Sequence, residues 1–185
     1  MSPIYLDYNA TTPLDPRVLA AMEPYFQTHF GNPSSAQHTW GWAADRAVQK
    51  SRATVAELLG CEVSELTFTS GSTESNNCAL FGGLHEHILK NPSQPFHILS
   101  SQVEHSSVLK ALEQARRLWP QLEVDFLPVT STGAVDLDMV KSKIKPATAL
   151  MSFIWVNNEI GTINPIPELA ELAHQHSVIF HTDAT

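Results

Sequence analysis

From residue 63 onward, strand-like and helix-like segments alternate, and no other feature limits the fold as much. Segments 66–69, 96–100, 124–127, 149–156 and 178–182 are short and apolar, which predicts strands. Segments 74–89, 106–119, 137–145 and 166–176 read as the helices between and after them. A helix after each strand carries the chain back across the sheet, so successive strands run parallel. The expected class is α/β: a mostly parallel sheet with crossover helices. Such sheets bind ligands in the crevice beyond the carboxyl ends of their strands.

The first 60 residues differ. Asp15-Pro16 is a cap and first-turn pair that predicts a helix reaching about residue 29, with Pro24 expected to kink or interrupt it. Gly31-Asn32-Pro33-Ser34-Ser35 is a turn-rich loop. A second helix is predicted over 40–59 with Gly60 as its stop, and its apolar residues Ala44, Ala47, Val48, Val55, Leu58 and Leu59 are expected mainly on one face. Residues 1–14 read as an N-terminal arm. Residues 15–185 read as one large domain, incomplete at its C-terminal end, because the chain stops three residues after its last predicted strand.

The formal charge of −8, without a Lys/Arg run, argues against nucleic acid or an anionic membrane as the main partner. The apolar stretches are of strand length, too short to cross a bilayer as a helix. The two cysteines, Cys61 and Cys78, make neither a disulfide framework nor a metal motif, and fit a cytoplasmic protein with reduced thiols. His85 and His87 stand two apart, which is not helical metal-ligand spacing, so no metal is expected.

Four segments carry chemistry. Thr69-Ser70-Gly71-Ser72-Thr73-Glu74-Ser75-Asn76-Asn77 offers a glycine, hydroxyls and a helix start, the components of an anion site; an ordinary helix cap would use the same residues. His105 follows a predicted strand and precedes a helix expected to be capped by Ser106 or Ser107. An imidazole there can stack on a planar ligand and move protons. Asn157-Asn158-Glu159-Ile160-Gly161 also follows a strand and offers side-chain amides, or simply turn residues. Asp183 ends an apolar run, where a carboxylate needs a cationic partner or serves as the cap of a following helix. A phosphate cradle together with a buried acid suits a cofactor with a phosphate at one end and a protonated nitrogen at the other, as in pyridoxal 5'-phosphate.

The chain resembles the N-terminal half of a cysteine desulfurase, in the class V aminotransferase group of pyridoxal-phosphate enzymes. The likeness rests on Tyr5-Leu6-Asp7-Tyr8-Asn9-Ala10-Thr11-Thr12-Pro13, Phe30-Gly31-Asn32-Pro33-Ser34-Ser35, the 68–77 segment, Val103-Glu104-His105, the 156–161 segment and His181-Thr182-Asp183-Ala184-Thr185. It implies an aspartate-aminotransferase-like large domain. It implies that Ser72 and Thr73 hold the cofactor phosphate and that His105 stacks on the ring and acts in proton transfer. It also implies that Asn158, rather than Asn157, contacts the cofactor near its phenolate oxygen, and that Asp183 pairs with the pyridine nitrogen. Asn9, Ala10 and Thr11 lie where the family's N-terminal arm approaches substrate.

The reaction so implied takes sulfur from L-cysteine, releases L-alanine and leaves a persulfide on an enzyme cysteine. That sulfur passes to an acceptor or scaffold protein for iron–sulfur clusters and thio-cofactors, and the enzyme is a homodimer. The family's Schiff-base lysine, substrate-binding arginine and persulfide cysteine correspond to positions past Thr185, so the chain alone is expected to be inactive. Selenocysteine lyase or another class V lyase or aminotransferase is the second enzyme reading. A non-catalytic fragment acting only as an interaction partner is the third.

Overall fold

The computed structural model describes residues 3–90 and 92–185, which divide into two compact units, Met1–Phe68 and Thr69–Thr185. Among the described residues no helix is long and apolar enough to cross a membrane.

The first unit is built on two helices. Helix α1 (Pro16–Gln27) is capped by Asp15, whose carboxylate accepts from the Arg17 N–H at 2.8 Å. Pro24 does not interrupt it. The proline sits in the last turn, and its carbonyl accepts from the N–H groups of both Thr28 and His29, which close the helix. Helix α2 (Thr39–Leu59) ends at Gly60, whose φ of 68° is the left-handed conformation that glycine adopts without a Cβ clash. Gly41, Ala44 and Ala56 are its buried residues, while Leu58 and Leu59 are 81% and 67% exposed. The face predicted for α2 therefore covers its middle turns and not its last one.

A short 3-10 turn, Val63–Glu65, leads to residues 66–69. This segment was expected to be a strand. Its backbone is extended at Leu66 (φ −92°, ψ 126°), but it joins no ladder among the described residues. Its local groups are engaged differently: the Arg52 guanidinium donates to the Leu66 carbonyl and lies 4.8 Å over the Phe68 ring. Apolar β-branched sequence gives extended backbone, and a strand also needs a neighbour.

The second unit alternates strand and helix as the sequence predicts: α3 (Ser72–Lys90), β1 (Phe96–Ser101), α4 (Ser106–Leu118), β2 (Leu122–Leu127), α5 (Leu137–Lys143), β3 (Thr148–Ser152), α6 (Ile166–Gln175) and β4 (Ile179–His181). The sheet order is β2-β1-β3-β4 and every pair is parallel. Side chains alternate between two cores, as the period of two requires. Ile98, Val124 and Leu150 pack with Leu80, Leu84, Val108 and Leu112 on the α3/α4 face. Leu99, Leu127 and Met151 pack with Val140, Leu169 and Leu172 on the α5/α6 face. Strand β3 stops at Ser152, four residues before the predicted end, and Val156 instead forms an isolated antiparallel bridge with Ile163.

Candidate active site

Three of the four chemical segments leave strand ends on one edge of the sheet: His105 follows β1, Asn157 and Asn158 follow β3, and Asp183 follows β4. The chain moves from β1 outward to β2, then crosses back to β3 on the other side of β1. That reversal makes the β1/β3 boundary the switch point where doubly wound sheets take ligands. Residues 69–77 reach the same edge by another route, because they follow no strand. Asn76 on α3 bonds directly to Asp183, its Nδ2 donating to Oδ2 at 2.8 Å.

Asp183 is buried, and its Oδ1 accepts from the Thr185 N–H at 3.2 Å. Burial alone raises its pKa, but the hydrogen bonds from Asn76 and Thr185 outweigh that and hold the carboxyl below its ordinary value. Asn76 Nδ2 also donates to Ser107 Oγ at 2.8 Å, and Ser107 Oγ lies 2.7 Å from His105 Nδ1. A continuous chain of hydrogen bonds, from buried Asp183, Asn76 and Ser107 to half-buried His105, therefore joins the ends of β4, α3 and β1. His105 itself caps α4: its Nδ1 accepts from the Ser107 N–H at 3.2 Å. The cap expected at Ser106 or Ser107 thus falls one or two residues earlier, where a side-chain acceptor reaches the donor two positions on.

At the start of α3, Glu74 turns back and accepts from the Ser70 N–H at 2.7 Å and Oγ–H at 2.6 Å, which holds its carboxyl below the ordinary range. Thr69 and Ser75 pair their hydroxyls at 2.6 Å. The hydroxyls of Ser72 and Thr73 make no hydrogen bond among the described residues. They stand at a helix start, whose first N–H groups have no intrahelical acceptor.

Asn157 and Asn158 divide their roles. Asn157 is buried; its Nδ2 donates to the Val103 carbonyl at 2.8 Å, and its Oδ1 accepts from the N–H groups of Glu159 and Ile160 at 3.0 and 3.1 Å. It ties the loop after β3 to the loop carrying His105. Asn158 is exposed, with Nδ2 3.1 Å from Glu159 Oε1. Beside His105, the buried carboxyl of Glu104 accepts from Ser101 Oγ at the end of β1. Burial pushes that carboxyl up to about 7 against the hydrogen bond from Ser101. Among the described residues, Glu104 Oε2, Ser100 Oγ and Thr182 Oγ1 are buried without a hydrogen-bond partner.

Sequence reasoning missed Asn76, Ser107 and Glu104. The first two left a signal: Asn76, Leu80 and Leu84 are spaced by four on the inner face of α3, and Ser107 shares a face with Ala111 and Ala115. Polar residues on a buried stripe need buried partners. Glu104 lies in a loop, where no period marks it. Asn9, Ala10 and Thr11 belong to the first unit, in an exposed turn where Ala10 and Thr11 donate their N–H groups to the Asp7 carbonyl at 3.2 and 3.4 Å. Cys61 and Cys78 are free thiols. Among the described residues no group of three or more His, Cys, Asp or Glu is placed to hold a metal ion.

The sequence matches the family described as aminotransferase class-V over residues 4–185. It is 43% identical over 182 residues to the cysteine desulfurase IscS of Dechloromonas aromatica, covering 98% of this chain and 44% of that protein. It is 48% identical over 182 residues to the mitosomal cysteine desulfurase of Encephalitozoon cuniculi, covering 98% of this chain and 41% of that protein. The solved structure of SspA in complex with cysteine superposes with a TM-score of 0.88 at 36% identity, covering 97% of this chain and 50% of that one. The chain thus spans less than half the length of these curated relatives.

Proposed function

Since this chain belongs to the class V aminotransferase family, we propose that it supplies the greater part of a pyridoxal 5'-phosphate cradle for a cysteine desulfurase. Enzymes of this family generally depend on that cofactor. The observation that carries the reading is the ionised, buried Asp183, joined through Asn76 and Ser107 to His105 at the switch point of the sheet.

The donor set fits the cofactor at both ends. Ser72 and Thr73 offer hydroxyls at a helix start to a phosphate. Asp183, held ionised by Asn76 and Thr185, would keep a proton on the ring nitrogen. His105 would stack on the ring, and exposed Asn158 would donate to the phenolate oxygen. Asn9, Ala10 and Thr11 would approach the substrate. When bound, the cofactor supplies an electron sink for a carbanion at the substrate α-carbon.

In a protein of the relatives' full length, the substrate is L-cysteine, the products are L-alanine and an enzyme persulfide, and the sulfur goes to an acceptor protein. The relatives' names and the cysteine bound to SspA support this substrate. The homodimer expected of the family is supported by exposed apolar side chains in the first unit, among them Met22, Phe26, Phe30 and Trp40. A cytoplasmic location completes the proposal.

The test is reconstitution of the full-length protein with pyridoxal phosphate, followed by visible absorbance and sulfide release from cysteine. A colourless protein that releases no sulfide sinks the reading. Asp183→Asn should cut turnover about tenfold or more, a loss of about 1.4 kcal/mol of transition-state stabilisation, and should impair catalysis more than folding, read from the unfolding midpoint. Undiminished turnover removes Asp183 from the role given to it.

A further inference from the structure

The hydrogen bonds that end on His105 all point the same way. Asp183 is ionised, and a carboxylate only accepts. Asn76 must therefore turn its amide nitrogen toward it, and the contact is 2.8 Å. The second N–H of that nitrogen goes to Ser107 Oγ, also at 2.8 Å. Having accepted there, Ser107 has one O–H to give, and His105 Nδ1 lies 2.7 Å away. The Ser107 main-chain N–H reaches the same Nδ1 at 3.2 Å, and a main-chain N–H can only donate. Two donors on one ring nitrogen require a lone pair on it.

We infer that Asn76 and Ser107 are positioning residues that lock His105 in the tautomer with its proton on Nε2, the charge of Asp183 setting the direction of the relay. Resting on the cofactor reading above, this sharpens the role of His105. Toward a ligand Nε2 is an N–H donor. The ring can take up a proton only at Nδ1, where the Ser107 N–H, fixed by helix α4, already points in. His105 then serves the bound group as a stacking ring and hydrogen-bond donor, and acts as a base at Nε2 only if the relay is reversed. Neither Asn76 nor Ser107 has to touch the cofactor for this.

The experiment is nitrogen NMR of the histidine rings in this chain, prepared without cofactor, with the His105 signals assigned by their loss in His105→Gln. In the unaltered chain the His105 ring should show a protonated Nε2 and an unprotonated Nδ1; the opposite pattern overturns the lock. In Ser107→Ala and in Asn76→Ala the other tautomer should gain measurable population, and Ser107→Thr, which keeps the hydroxyl, should restore the original pattern. Identical tautomer populations in all four proteins overturn the relay through Asn76 and leave only the main-chain cap. The unaltered spectrum decides the first point even if a variant fails to fold. A protein that never binds pyridoxal phosphate still gives these spectra, so failure of the cofactor reading is distinguishable from failure of the lock.

Discussion

Two buried carboxyls close to one another are driven in opposite directions. Asp183 receives hydrogen bonds from Asn76 and Thr185 and stays ionised. Glu104 is more deeply desolvated, leaves Oε2 without a partner among the described residues, and has its pKa pushed up to about 7. For a carboxyl raised in this way, the folded state holds its proton more tightly than the unfolded chain does. The stabilising contribution of Glu104 is thus complete below its ordinary value of 4.5 and is lost as the pH rises through about 7. The loss is on the order of 3 kcal/mol. Glu104→Gln should flatten this fall: denaturant midpoints of variant and parent between pH 4.5 and 8 should diverge as the pH changes. Parallel curves would show that Glu104 does not titrate in this interval.

At the level of elements, close approach overrules propensity. Glycine inside a helix is costly, and replacing it by alanine commonly gains about 1 kcal/mol. Gly41 lies near the start of α2, and a Cβ there would come within 1.9 Å of the Ser35 carbonyl oxygen. Backbone cannot yield as a flexible side chain can. Gly41→Ala should therefore destabilise the protein by roughly 1–3 kcal/mol, read from equilibrium unfolding. A gain in stability would mean that the 31–35 loop does not seat on α2 as described. The same loop explains Gly31, whose Cβ would meet the Trp40 carbonyl oxygen at 2.2 Å. In the second unit the His105 cap makes the related point, since one local bond both starts a helix and fixes an imidazole.

Across the whole molecule, burial is uneven. Strand β1 is buried at every position and sits inside the sheet with β3. Helix α1 has no buried residue. Elements with few buried apolar contacts open at low free-energy cost. Hydrogen exchange should accordingly be slowest in β1 and β3 and fast in α1. Protection of α1 equal to that of β1 would overturn this ranking.

The sequence by itself determined the class of fold and the edge that carries the chemistry. The alternation of segments, the Asp15 cap and the Gly60 stop are local features, set by hydrophobic period and backbone conformation within a few residues. Tertiary structure decided what depends on distant partners. Segment 66–69 reads as a strand in sequence, and Leu66 is extended in the structure, but the segment joins no ladder among the described residues. Leu58 and Leu59 lie on a helix that ends before anything covers them. Asn76 and Ser107 gain their role from bonds across 107 and 31 residues of sequence, and no local pattern contains those pairings. Asp183 could be singled out as a strand-end acid from the sequence alone. That it stays ionised, and that its charge sets the proton of His105 through two intervening side chains, follows only from the packing of α3 and α4 against the sheet.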